Sequence, residues 1–229
     1  MRKMNTTDSS TRRDLYTCPE AGASALLTID MQCDFAEGGT AAVAGTRAAI
    51  PAMVRVLEAY RRRGLPVIHV VRLYRADGSN VDLCRRARVE AGAQIVAPGT
   101  AGAELVAEFG AGRVDAEALM AGELQAVGER EWVMYKPRWD AFYGTGLEAH
   151  LRRMGATTLA IVGCNFPNCP RTTAYGASMR DLRAVLVRDA VSGVYERGIA
   201  ELNGIGIETP TAEEWAERVE RADDVAAGN

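Results

Sequence analysis

The 229-residue chain has two histidines, His69 and His150, and two lysines, Lys3 and Lys136, against 25 arginines among its 27 basic residues. So few histidines leave little room for a Ser-His or Cys-His pair. His69 falls within an apolar strand pattern and His150 within a helix pattern, neither at a strand end. There is no HExxH, no paired-cysteine spacing and no GxxxxGK[ST] loop, and Gly204-Ile205-Gly206 lacks the third glycine and preceding strand of a dinucleotide fingerprint. We therefore expect no metal and no cofactor. Five cysteines, odd in number and without a CxxC pair, argue for reduced thiols and a cytoplasmic setting rather than a disulfide framework. No apolar run reaches the roughly 18 residues of a membrane span. The charge of −3 contains no long run of one sign, so nucleic acid and membrane are both poor partners.

What is present is an ordinary globular composition, 48% apolar and 25% charged, in a length suited to one domain with a self-sufficient core. Residues 1–21 are polar and aperiodic and read as a flexible arm that could dock through Leu15 and Tyr16; residues 22–229 form the domain. Strands are expected at Ala25–Asp30, Pro66–Tyr74, Glu131–Lys136, Thr158–Gly163 and Arg183–Arg188. Helices are expected at Thr46–Arg63, Val81–Ala91, Thr100–Phe109, Gly146–Arg153, Pro170–Met179 and from the capping box Thr211–Glu214 to about Arg221. This alternation predicts an α/β fold: a single three-layer α/β/α sandwich on a mostly parallel sheet.

Ligands of such sheets collect beyond the carboxyl ends of the strands. Asp30 and Lys136 close two strands there, and Cys169 follows a third. A lysine retained in so arginine-rich a chain marks a place where a compact, tunable ammonium suits better than a planar fork. With Pro170 at the first helical position, Cys169 becomes the helix N-cap, where the dipole lowers a thiol pKa. Cys164 lacks that dipole and reads as packing. Gln32, Phe35, Trp139, Phe142, Tyr143, Phe166 and Asn168 adjoin these motifs and are the candidate substrate-binding residues.

These residues, with LLTIDMQCDF (Leu26–Phe35), the APGT turn (Ala97–Thr100), YKPRWDAFYGTGLEAHLRRMG (Tyr135–Gly155), GCNFPNCPRTTAYGA (Gly163–Ala177) and DAVSG (Asp189–Gly193), resemble the isochorismatase-like cysteine hydrolases over Ala25–Gly193. The resemblance implies Cys169 as nucleophile, Asp30 as its base and Lys136 as the polarising cation. It also implies a cis Cys164–Asn165 peptide that brings the Asn165 and Cys169 N–H groups into one oxyanion hole, and a homo-oligomer. Family members cleave small amides, including nicotinamide, carbamoyl and ureido compounds, or the vinyl ether of isochorismate. The expected activity is hydrolysis of a small-molecule C–N bond through a thioester. The alternatives are vinyl ether cleavage and a non-catalytic small-molecule or thiol-sensing module. Two features depart from the family pattern: Phe166, Pro167 and Pro170 alter the elbow around the cysteine, and the zinc-binding Asp-x-His stretch of nicotinamide-cleaving members is replaced by Val71–Ser79, VRLYRADGS.

Overall fold

The computed structural model describes residues 15–36 and 38–222. The greater part of the proposed arm, residues 1–14, lies outside them; Leu15 and Tyr16 are exposed. Glu20 ties the start of the domain to the sheet, its carboxylate accepting from Thr157 and Arg183.

Four mostly apolar runs form the middle of the sheet, because helices cover both of its faces. They are β1 (Ser24–Ile29), β2 (Val67–Val71), β4 (Glu131–Tyr135) and β5 (Thr158–Gly163). Together with β3 (Gln125–Gly128) and β6 (Arg183–Val191) they give the order β3-β4-β2-β1-β5-β6, all parallel except β3. Alternation sorts the side chains: Leu26 joins the core beneath one helical layer, Ala25, Leu27 and Ile29 the core beneath the other.

The first layer contains α1 (Thr46–Arg62) and α7 (Ala212–Arg221). Helix α1 buries Ala49, Ile50, Met53, Val56, Leu57 and Tyr60, the spacing of a single helical face. Tyr60 ties this layer to the sheet, since its hydroxyl meets Ser24 Oγ at 2.7 Å and accepts from Trp215 Nε1 at 3.2 Å. Helix α7 opens on the expected capping box, Thr211 with Glu214. On the opposite face lie α4 (Leu147–Arg153), α5 (Cys169–Ser178) and α6 (Glu196–Asn203).

Several boundaries differ from those expected. Thr100–Phe109 is not an α-helix but two short 3-10 turns, Ala101–Ala103 and Ala107–Phe109. Its backbone is spent on the segment after β1: Cys33 N donates to Glu104 O and Val106 N to Met31 O. The polar helix is α2 (Leu83–Glu90), and a short α3 (Ala116–Met120) precedes β3. Both α3 and β3 escaped detection because they are brief and half-exposed. Helix α6 was masked by Gly198, a poor helix former. The glycine is there because a Cβ would stand 2.2 Å from the Phe166 ring.

One buried polar network crosses the sheet. Glu131 accepts from His69 Nε2 at 2.7 Å and from Arg61 Nη2 at 2.6 Å and Nε at 2.9 Å. With Nε2 donating and burial holding the ring neutral, His69 Nδ1 accepts from Thr28 Oγ1 at 2.8 Å. Both histidines are thus strand and helix residues away from the strand ends, as expected. Burial alone would raise the Glu131 pKa, but the hydrogen bonds from His69 and Arg61 hold it down to about 2. A depressed carboxylate stabilises the fold above its unfolded pKa, about 4.3. That contribution is lost as pH falls from there toward 2. Urea midpoints of Glu131→Gln and the parent chain should therefore converge as pH drops from 6 to 3. Parallel curves would show the network to be uncoupled from folding.

Candidate active site

From β1 the chain steps to β2 and β4 on one side, then crosses to β5 and β6 on the other. The carboxyl ends of β1 and β5 therefore flank the point where strand order reverses, where a crevice opens in such sheets. Each of the four central strands delivers a side chain to it just beyond its last residue. Asp30 follows β1, Arg72 follows β2, Lys136 follows β4, and Cys169 follows β5 across a five-residue loop.

Backbone hydrogen bonds continue the sheet into these residues: Asp30 N donates to Val70 O and Lys136 N to Val71 O. Asp30 has φ 53°, the left-handed region that aspartate tolerates better than most residues. Lys136 is wholly buried, and its Nζ donates to Asp30 Oδ2 at 2.8 Å. Asp30 Oδ1, also buried, has no hydrogen-bond partner among the described residues. Such a pair is retained only where each charge compensates the other.

Between β5 and α5 the chain must pass hard against β1. A Cβ on Gly163, at φ 125°, would lie 2.2 Å from Ile29 O, so only glycine fits. The Cys164–Asn165 peptide that follows is cis. The loop is then pinned on both sides: Cys164 N donates to Ile29 O, Phe166 N to Ser192 O, and Asn168 N to Asn165 O. Among the described residues the backbone N–H groups of Asn165 and Cys169 donate to no protein acceptor.

Cys169 proves to be the first residue of α5 rather than its N-cap, which is Asn168. The expected lowering of its thiol pKa is also overturned. Burial pushes the thiol up, the Asp30 carboxylate pushes it further, and Lys136 and Arg72 only partly oppose them. Dehydration and a neighbouring negative charge outweigh the two cations. Cys164 packs in the core, as expected, and burial drives its thiol up to about 12, but it also lines the cleft beside Cys169.

Of the seven candidate substrate residues, Phe35, Trp139 and Asn168 line the cleft together with Asp30, Cys84, Arg85, Cys164, Asn165 and Cys169. The cleft is small and partly open, with a volume of about 40 Å³, room for a few waters. Tyr143 lies in an adjoining groove, which shares Trp139 and Cys84 with the cleft. The other three belong elsewhere. Gln32 is fully buried as a brace, with Nε2 donating to Arg72 O and Ala103 O and Oε1 accepting from Arg72 N. Phe142 is a core residue stacked under Arg180, and Phe166 is a core residue edge-on to Tyr195.

Sequence reasoning missed Arg72 and Arg85. Arg72 is 1% exposed. Its Nη1 is paired with Asp82, and its Nη2 lies 3.7 Å from Cys169 Sγ. The second strand is expected to run to Tyr74, which hides Arg72 in its interior; β2 ends at Val71 and leaves Arg72 at the strand end, as Asp30 and Lys136 are. Arg72 lies in the very segment that replaces the family's zinc-binding stretch, and the donor set there does not fit a metal. Among the described residues no group of three or more His, Cys, Asp or Glu is arranged to hold one. Nor, among them, is any helix long and apolar enough to cross a membrane.

A carboxylate, two cations and a thiol converging at the switch point accord with what comparison with known proteins finds. The model of the isochorismatase domain matches residues 24–208. The chain belongs to the isochorismatase family. It is 36% identical over 205 residues to a protein of Arabidopsis thaliana named probable inactive nicotinamidase, covering 86% of this chain and 96% of that one. The crystal structure of an isochorismatase family protein from Desulfovibrio vulgaris superposes with TM-score 0.74 at 34% identity, covering 87% of this chain and 99% of the other. That of N-carbamoylsarcosine amidase from Thermoplasma acidophilum gives TM-score 0.65 at 25% identity, covering 83% and 96%. The isochorismatase fold matches the α/β/α sandwich expected from the strand and helix alternation.

Proposed function

We propose that the chain is a cysteine-dependent hydrolase of small-molecule amides of C–N, carbamoyl or ureido type. The observation that carries this reading is the Cys169 thiol held between Asp30 and two cations at the mouth of a loop with two free N–H groups. The raised thiol pKa favours a nucleophile deprotonated during attack over a standing thiolate. Asp30 Oδ1, the carboxylate oxygen without a partner, takes the thiol proton as sulfur bonds to the carbonyl carbon. Lys136, fixed on Oδ2, keeps the carboxylate in place and offsets its charge. The oxyanion is met by the Asn165 and Cys169 N–H groups, each donor contributing about 3 to 4 kcal/mol in sites of this kind. Asp30 hands the proton to the departing amine as the C–N bond breaks, leaving a thioester. The carboxylate then draws a proton from water, whose oxygen attacks the thioester and releases the acid and the thiol.

The name of the Arabidopsis relative favours a second reading, a non-catalytic module that retains the pocket. Intact-mass spectrometry after brief exposure to pooled small amides and ureides separates the two. We expect an acyl adduct on Cys169 accompanied by ammonia release. Reversible binding without adduct or ammonia across the pool would establish the non-catalytic module.

A further inference from the structure

The charges around the cleft do not balance. Two carboxylates, Asp30 and Asp82, are each committed to a cation, Lys136 and Arg72 respectively. A third cation, Arg85 of α2, lines the same cleft and forms no ion pair among the described residues. Its Nη1 donates to the Tyr74 hydroxyl at 3.1 Å. That hydroxyl donates in turn to Asp82 at 2.6 Å, so Tyr74 orients the guanidinium without neutralising it. The guanidinium is also stacked 5.1 Å from the centroid of the Phe35 ring, which fixes its plane. A half-buried, oriented and uncompensated guanidinium is a fork for a planar anion.

Geometry sets where that anion sits. Arg85 and Cys169 line one small cleft with Asp30, Asn165 and Asn168, so an anion held on the guanidinium lies in the same cleft as the thiol. We propose that this cleft selects small amides or ureides that carry a carboxylate, and that Arg85 binds the carboxylate while the scissile carbonyl reaches Cys169. This specificity rests on the amide-hydrolase reading, but the anion site can be tested without turnover.

Iodoacetate and iodoacetamide alkylate a thiolate by the same displacement, in which the S–C bond forms and iodide leaves. They differ in the charge of the group carried past Arg85. Their rate ratio cancels the ionisation of Cys169, and peptide mapping separates its adduct from that of Cys84. Relative to glutathione, the iodoacetate to iodoacetamide ratio at Cys169 should be at least about tenfold higher. Arg85→Gln should bring it within about threefold of glutathione, and Arg85→Lys should retain most of the preference. A parent chain with the glutathione ratio, or a ratio unchanged in Arg85→Gln, overturns the proposal.

Ammonia release from N-carbamoylglycine and from its uncharged methyl ester completes the test. The acid should be preferred, and Arg85→Gln should erase the preference mainly through KM. Equal release from both with no iodoacetate preference would remove the anion site and leave the amidase reading standing. An Arg85-dependent iodoacetate preference with no ammonia from either would do the reverse.

Discussion

Cys169→Ala should lower ammonia release from any amide substrate by at least about a thousandfold, because every later step passes through the thioester. The fold should survive. Only one sulfur is removed from a site 6% exposed, at a cavity cost of about 1 kcal/mol, a shift of roughly 2 to 4 °C in Tm for a chain of this size. Turnover measured alongside the melting curve checks both halves. Retention of a tenth of the activity would mean that Asp30 acts as an acid without the thiol, the chemistry expected of vinyl ether cleavage.

Lys136→Met should have the second largest effect, and it should be double. It strands the Asp30 carboxylate in a buried site, and breaking one side of such a pair costs about 3 to 5 kcal/mol of stability. It also removes a charge that favours the thiolate, so the Cys169 pKa, already raised, should rise further and the alkylation profile should move to higher pH. Activity should fall at least about a hundredfold, roughly 2.7 kcal/mol of transition-state stabilisation. Lys136→Arg keeps the charge but must fit a planar fork into a fully buried place, and it should lose activity comparably. Adding Asp30→Asn to Lys136→Met should restore stability without activity. An alkylation profile that does not move in Lys136→Met would show the lysine to be uncoupled from the nucleophile.

The strand ends were legible because each rests on a long apolar run: β1, β2, β4 and β5 declare themselves, and the residue after each is then fixed by counting. That rule reaches Asp30 and Lys136, but the apolar pattern of the second strand carries on through Leu73 and Tyr74 and so hides Arg72 in its interior, whereas β2 ends at Val71. Arg85 was harder. Its position depends on where α2 packs, and nothing in LCRRARVE distinguishes Arg85 from its neighbour Arg86. The thiol pKa was misjudged for a related reason, since the helix N-terminus is visible in the chain whereas the depth of burial beneath Trp139 and Arg85 is a property of the assembled cleft. Gln32, Phe142 and Phe166 were chosen by nearness in sequence to the motifs, and a strand-end turn sends alternate residues away from the crevice as readily as into it.

The Asp30–Lys136 bond joins residues 106 apart in the chain, and the Arg72–Cys169 contact joins residues 97 apart. No contiguous half of the sequence contains the nucleophile together with its base and both cations. Such long loops close late in folding, after local helices have formed. Until β5 docks against β1, Cys169 is an ordinary thiol with an ordinary ionisation. During refolding its reactivity should therefore begin like that of a free cysteine and fall to its native value in one late phase, a clock for completion of the sheet that reads out independently of any substrate.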